Sequence, residues 1–382
     1  MIFSKGFLVG ILLLSSLCLP LRAQVGEAVA GEREANNSSS AIVSDTMSDR
    51  LPVELGTVEE VTVVAESSGD TSAVDVSSPP PADTTSKKGE YPRYTLEEYR
   101  YAKAPRYTLT GDLPYRETHV RPIEAALTGV AVGGVIAAIH IYQQNAWWSD
   151  RRQPFHFTID WGYAAQADKF GHFFAGYITS YIGYESLVAS GFSPDVAGWF
   201  GPLLGLGFQT YVEIEDGFSP FGFDQTDQVA NTVGPLFFGL QHYIPELQSF
   251  KFKWSYFPND EYQGGVKSGH NKIIIDDYNG QTIWFSTKVA NLLPESIAWP
   301  KWLRLAFGYG TYNVDRINER NEVLAPGRRY FISLDYDLLE MLPDLGSFGN
   351  WLVQTADYLH WPAPALQLAP EVKFYLAWPV HF

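Results

Sequence analysis

The spacing of apolar residues changes near Tyr243, from a helical period to a period of two. Before that point, apolar residues recur every three to four positions, which predicts helices at 122–141, 165–189, 194–214 and 226–242. Pro122 and Pro194 suit the first helical position, and Ser193 suits the cap before the third helix. All four segments are apolar on most sides, so we expect them to pack against one another, to lie in a membrane, or both.

The second half of the chain is predicted to be a sheet. Alternating residues predict strands at 251–256, 304–312, 329–337 and 371–382, and a hairpin of 272–278 with 281–287. The last strand has an apolar face and ends in Phe382, as strands of outer-membrane barrels do. Pro379 favours instead the edge of an ordinary antiparallel sheet, because proline lacks a ladder donor.

The fold class is therefore α+β. We expect a four-helix membrane-associated unit at 121–245, followed by a β-rich antiparallel C-terminal half at 246–382. That half is either a small or partial outer-membrane barrel or a soluble sheet. Gly129, Gly133 and Gly134 give the first helix a surface of small residues that permits close approach of another helix.

The segments before the helices point to export. Lys5, the apolar run 7–14 and Ala23 are typical of a secretory signal peptide over 1–23. Residues 24–90 hold no aromatic residue and are rich in serine, proline and acidic residues, which predicts a disordered linker. An extended lead-in at 91–120 would connect this linker to the helices.

Cysteine usage and charge exclude several classes of function. Cys18 is the only cysteine, and Leu17 before it departs from a lipobox, so we expect it to be removed with the signal peptide. Without a thiol, any metal site would use histidine and carboxylates. The net charge of −16 argues against a nucleic-acid partner. Membrane lipid and other envelope proteins are the expected partners.

Ionisable residues at helical spacing interrupt three of the apolar segments. Asp168 and His172 are four residues apart and therefore share one helix face. A second group follows about forty residues later in the chain. If these helices face each other, they form one polar cluster of Asp168, Lys169, His172, Glu213, Asp216, Asp224, Asp227 and Asn231.

Two interpretations of this polar cluster remain open. Buried polar groups are costly unless they are paired, so the set could crosslink the helices as a structural network. Carboxylates and an imidazole on facing helices are also how helix bundles build metal or acid–base sites. No cofactor is indicated outright; a divalent cation is one candidate, with His172, Glu213 and Asp227 as its expected ligands.

The motif Asp168-Lys-Phe-Gly-His172, then Glu213 through Asp216, Asp224, Asp227, Asn231 and Gly234, resembles the YfiM-like family, domain of unknown function 2279. The chain is similar to the long exported Bacteroidetes form of that family and, more distantly, to VanZ-like membrane proteins. The resemblance implies a place in the cell envelope, in the outer membrane or periplasm. It implies no activity.

From the residues and the resemblance together, we expect an exported envelope protein with a structural or binding role. The alternative is a hydrolase or transferase directed at lipid or cell wall, using Asp168, His172, Glu213 and Asp227, with or without a metal.

Overall fold

The computed structural model describes residues 91–148, 152–258, 275, 277–316 and 322–380, without the side chains of 146 and 147. The expected signal peptide and linker lie outside the described residues, as does most of the expected strand 272–278.

Four long helices occur where the apolar period predicts them. They are α1 Pro122–Gln143, α2 Ala167–Ala189, α3 Pro194–Gly217 and α4 Gln225–Tyr243. Proline occupies the first turn of α1 and α3, and the Ser193 hydroxyl accepts a hydrogen bond from the Val196 amide at the start of α3. The boundaries follow from local capping chemistry as well as from the apolar period.

Helix α2 lies between α3 and α4 and forms the centre of a three-helix bundle. Its buried tyrosines Tyr177, Tyr181 and Tyr184 pack with Phe238 of α4. Glycine permits close approach to α3, because a Cβ at Gly205 would lie 2.5 Å from the Ser180 Oγ atom. This bundle buries aromatic rings in a compact core.

Helix α1 stands largely apart from this bundle. Only Thr128 and Gln143 of α1 are buried. No atom outside the helix lies within 4 Å of where a Cβ would stand on Gly129, Gly133 or Gly134, so these glycines mediate no helix contact among the described residues. Within the described part of the chain, α1 is the one helix that is long and apolar enough to cross a membrane. The expected four-helix unit is therefore three packed helices and one exposed helix.

Short strands connect the segments around the bundle. The lead-in forms a small hairpin of β1 Arg100–Tyr101 and β2 Ala104–Pro105. A parallel pair of β3 Phe157–Thr158 and β4 Phe223–Asp224 joins the segments that precede α2 and α4.

The described part of the C-terminal half contains six long strands: β5 Phe250–Tyr256, β6 Gln281–Thr287, β7 Leu303–Tyr312, β8 Gly327–Tyr336, β9 Ala363–Ala369 and β10 Lys373–Trp378. They form one antiparallel sheet in the order β10-β9-β8-β7-β6-β5. Two short helices, α5 Leu338–Met341 and α6 Gly346–Ala356, lie between β8 and β9.

Three expectations for this half need correction. Strand β6 pairs with β5 on one edge and with β7 on the other, so the expected hairpin partner 272–278 has no free edge of β6 to join. Strand β9 was not predicted, because its sequence of alanine, proline and leucine lacks β-branched residues. The sheet is also open rather than a closed barrel: β10 and β5 are its edges, and β5 is bridged to Leu359 instead.

One face of the sheet is apolar and exposed. A registered row of side chains crosses five strands on this face, and we call it the outer row. The outer row consists of Phe285, Phe307, Ile332, Leu366 and Phe374, which are 36–63% exposed. Trp378 departs from the expected apolar face, because a register shift after Tyr375 leaves it buried.

The opposite face is buried and carries charged side chains beside the aromatic rings of Trp284 and Phe331. Lys253 is fully buried, and its Nζ atom lies 2.9 Å from Asp335 and 3.0 Å from Asp357. We call these ion pairs the Lys253 network; its members are Lys251, Lys253, Lys288, Arg304, Asp335, Asp337, Glu340 and Asp357. The four basic and four acidic groups are balanced.

The contact between α2 and α3 gives a matched pair of substitutions. Gly205→Ala would place a Cβ against Ser180, whereas a Cβ at Gly207 on the same helix would meet no atom within 4 Å. We expect Gly205→Ala to lower the free energy of unfolding by about 1–3 kcal/mol, as overpacking does. Gly207→Ala should be neutral or raise it by up to about 1 kcal/mol. Denaturant titration in detergent measures both; equal effects would contradict the packing described.

Candidate functional site

The structure brings the predicted polar residues together at one end of the three-helix bundle. Asp168, Lys169 and His172 come from the start of α2, and Glu213 and Asp216 come from the end of α3. Asp224 caps α4, and Asp227 and Asn231 lie on its first turns. Asp216 is at the border of the polar cluster, where it accepts a hydrogen bond of 2.7 Å from the Trp148 indole.

The backbone that leads into α2 is strained. Ala164, Ala165 and Gln166 all have positive φ, of 46°, 50° and 68°. Each such non-glycine residue costs about 1–2 kcal/mol. Contacts from the sheet hold this turn, because Tyr309 donates to the Ala165 carbonyl and Arg328 donates to the Gln166 side chain. The turn positions Asp168 and Lys169 toward α4.

The segments before α2 and α4 are joined at Asp224. Its Oδ1 atom accepts hydrogen bonds from the Thr226 amide at 2.6 Å and the Asp227 amide at 3.4 Å, which caps the helix. Its Oδ2 atom accepts a hydrogen bond of 2.7 Å from the Asp160 amide. This arrangement places the Asp160 carboxylate beside the polar cluster.

Lys169 is the central cation of the polar cluster. Its Nζ atom lies 3.0 Å from Asp168, 3.5 Å from Asp224 and 2.8 Å from Asp227, and it also contacts Asp160. Only 5% of its side chain is exposed. Burial acts to lower the pKa of this ammonium, but the surrounding carboxylates outweigh burial and raise the pKa. Lys169 therefore stays charged.

His172 lies between two sets of acceptors. Its Nε2 atom is 3.7 Å from Asp168 Oδ1 and 3.7 Å from Asp227 Oδ2. Its Nδ1 atom is 3.2 Å from Asn231 Oδ1 and 3.3 Å from Glu213 Oε1. Asn231 Nδ2 in turn donates to Glu213 Oε1 at 3.1 Å, which fixes both side chains.

The protonation of the polar cluster follows from burial and crowding. Burial acts to lower the pKa of His172, but Asp168, Asp227 and Glu213 outweigh it and raise the pKa to about 9. Burial is the largest cause that raises the pKa of Glu213 to about 8 and that of Asp227 to about 7. The pKa of Asp168 is lowered despite burial, by His172 and Lys169. Among the carboxylates near His172, Asp168 keeps its charge and the others compete for protons.

Sequence reasoning missed three members of this site. Asp160 contacts Lys169, Tyr278 donates a hydrogen bond of 2.6 Å to Asp168 Oδ1, and Trp148 donates to Asp216. Asp160 precedes α2 in an aromatic segment, so its carboxylate was a recognisable signal. Tyr278 lies in the turn before β6 and Trp148 lies five residues after the end of α1, and tertiary contacts that no local pattern reveals bring both to the site.

Chemically, this arrangement is suited to holding a cation or donating a proton. An imidazolium whose pKa is raised is a poor general base, so His172 could act as a base only after losing its proton. His172 is also 20% exposed, whereas the Glu213 side chain is 2% exposed and that of Asp227 is 8% exposed. His172 is therefore more open to the surroundings than these two carboxylates.

Replacing the central ammonium tests how far the bundle depends on it. Lys169→Met should lower the free energy of unfolding by about 3–5 kcal/mol, because it leaves several carboxylates without their shared cation. The matched control is Lys301→Met at an exposed position, with an expected change within about 0.5 kcal/mol. Denaturant titration of the two variants measures the difference, and a Lys169→Met protein as stable as the control would contradict a central role.

Comparison with known proteins finds one similarity, over part of the chain. Residues 159–242, which contain α2, α3, all but the last residue of α4 and the whole polar cluster, match the family model described as "Predicted periplasmic lipoprotein (DUF2279)". No curated protein and no solved structure matches the chain significantly. The matched segment is thus similar to a family whose description names a predicted place in the periplasm and no activity.

Proposed function

We propose that the protein is an exported cell-envelope protein that associates with the outer membrane and has a structural or binding role. The description of the matched family as periplasmic supports export to the envelope. Association with a membrane is proposed because the C-terminal sheet exposes its apolar face and buries its charged face.

The sheet has the reverse of the usual distribution of polarity. Phe307, Ile332 and Phe374 of the outer row are 46%, 48% and 63% exposed, while the charged Lys253 and Asp335 on the other face are fully buried. Antiparallel sheets in water turn the apolar face inward. Soluble proteins rarely expose contiguous apolar patches above a few hundred Å². Apolar residues outside and polar residues inside are typical of sheets that face lipid.

Helix α1 also supports association with a membrane. Its 22 residues correspond to a length of about 33 Å, close to the roughly 30 Å of a bilayer core. Ile123 and Val130 are 74% and 75% exposed, so this apolar helix has no protein partner over much of its surface among the described residues. Trp199, Leu203 and Leu236 extend the exposed apolar surface over α3 and α4.

The second candidate function is a hydrolase or transferase that acts on lipid or cell wall. The observation that favours it is His172, a partly exposed imidazole between Asp168 and Asp227 on one side and Glu213 on the other. Such a group could donate a proton to a leaving group. The dense pairing within the polar cluster favours binding or a structural role instead.

Membrane retention tests the proposal. The full chain should remain in the membrane fraction after washing with urea at high pH. Replacing Phe307, Ile332 and Phe374 together by serine should increase the released fraction, because the outer row then loses its affinity for acyl chains and α1 alone retains the rest of the protein.

The control replaces three exposed apolar residues outside the outer row by serine: Leu292, Ile297 and Val323, which are 53%, 51% and 79% exposed. This control should stay in the membrane fraction. Release of the unmodified protein by the same wash, or equal release of both triple variants, would refute membrane seating through the outer row.

A further inference from the structure

We propose that Asp168, His172 and Asp227 bind a divalent transition-metal cation of the zinc class. This inference rests on the binding role proposed above, but it does not depend on membrane seating. It names a ligand for the polar cluster and a chemical class for that ligand.

The three side chains converge from two facing helices. Ligand atoms of Asp168, His172 and Asp227 all lie within 4.8 Å of one another. The Nε2 atom of His172 is 3.7 Å from an oxygen of each carboxylate. Zinc bonds of about 2.0–2.2 Å in a tetrahedral site separate neighbouring ligand atoms by about 3.4 Å. The two separations from His172 Nε2 are within a few tenths of an ångström of that value, and the two carboxylate oxygens, which lie within 4.8 Å of each other, would move together on binding.

The other nitrogen of His172 has the surroundings of a metal ligand. Metal-bound histidine nearly always donates its second ring N–H to a carboxylate or carbonyl oxygen, which fixes the ring and its tautomer. Here Nδ1 faces Asn231 Oδ1 at 3.2 Å and Glu213 Oε1 at 3.3 Å. With the proton on Nδ1, the lone pair of Nε2 is directed toward Asp168 and Asp227.

The balance of charge among the described residues also favours the binding of a cation. Asp160, Asp168, Glu213, Asp216, Asp224 and Asp227 are six carboxylates, and Lys169 and His172 are the cations beside them. The Lys253 network, in contrast, balances four basic against four acidic groups. Asp227 is only 6% exposed; its Oδ1 pairs with Lys169 Nζ at 2.8 Å, and its Oδ2 lies 3.7 Å from His172 Nε2. Buried negative charge in excess requires protons or a cation.

A second carboxylate group in the same region is already occupied by an ammonium. Oxygens of Asp160, Asp224 and Asp227 also lie within 4.8 Å of one another. The Nζ atom of Lys169 contacts all three of these residues, so it holds the position that an ion would take there. Lys169 also pairs with Asp168 Oδ2 and Asp227 Oδ1, and the other oxygen of each carboxylate faces His172 Nε2. Of these two oxygens, Asp168 Oδ1 also accepts the hydrogen bond from Tyr278.

The ligand set distinguishes among metals. One imidazole nitrogen and two carboxylate oxygens favour zinc-class ions over calcium or magnesium, which prefer oxygen ligands alone. Three protein ligands leave one position for water or for a bound molecule. Glu213, which the sequence suggested as a ligand, instead lies behind Nδ1 and would orient His172.

Calorimetric titration of the purified full chain in detergent, stripped of metal, tests the inference with Zn²⁺ as the probe. We expect one Zn²⁺ per chain. His172→Gln and Asp227→Asn should each weaken binding by at least about 100-fold, and Glu213→Gln should weaken it by about 10–100-fold through His172. Because Glu213→Gln keeps all three ligands, it remains informative if the ligand variants fail to fold.

The matched control is the pair of His242 and Asp195 on the same bundle, whose side chains are 14% and 76% exposed and whose nearest atoms are 3.4 Å apart. His242→Gln and Asp195→Asn should leave Zn²⁺ affinity unchanged. Absence of Zn²⁺ binding, or unchanged affinity in both His172→Gln and Glu213→Gln, would overturn the proposal. Membrane retention of the same variants, measured on membranes before detergent is added, separates this failure from a failure of membrane seating.

Discussion

The buried ammonium of Lys253 determines which way the C-terminal sheet faces. It is held by Asp335 at 2.9 Å, by Asp357 at 3.0 Å and by the Tyr336 carbonyl at 2.8 Å. Breaking such a buried pair costs several kcal/mol, so β5 is fixed with Lys253 inside. Neighbouring side chains on a strand point to opposite faces, and a slip of one residue would exchange the faces completely. One strand register therefore places the ion pairs on the buried face of the sheet and the outer row on its exposed face.

The two charged clusters of the molecule have different characters. The Lys253 network has equal numbers of basic and acidic groups, and most of them are buried, as is typical of a structural core. The polar cluster of the helical bundle has more carboxylates than cations and includes the partly exposed His172. The family match covers the helices that carry this polar cluster and ends before the sheet. We infer that the bundle carries the binding site and that the sheet and α1 anchor it.

Sequence patterns predicted the helices well and the sheet only in part. Helical period and capping residues are local, so the limits of α1 to α4 agree with those predicted to within a few residues. The convergence of Asp168 and His172 with Asp227 followed from spacing on facing helices. The pairing of β5 with β6, the strand β9 and the contacts of Asp160 and Tyr278 depend on distant residues, and no local period encodes them. The exposed position of the outer row could be suspected from the alternation of the last strand, but its extent required the register of five strands.

Alternating accessibility along β8 tests the central claim most directly. Single cysteines at Ile332, Phe331 and Ser333, in a chain with Cys18 replaced by serine, would be spin-labelled and reconstituted into vesicles of outer-membrane lipid. The account predicts that the label at Ile332 is relaxed by oxygen dissolved in the bilayer and not by a water-soluble nickel complex. Labels at Phe331 and Ser333, which lie on the buried face, should be protected from both agents. Relaxation of the Ile332 label by the nickel complex, as strong as for a label in water, would contradict the account.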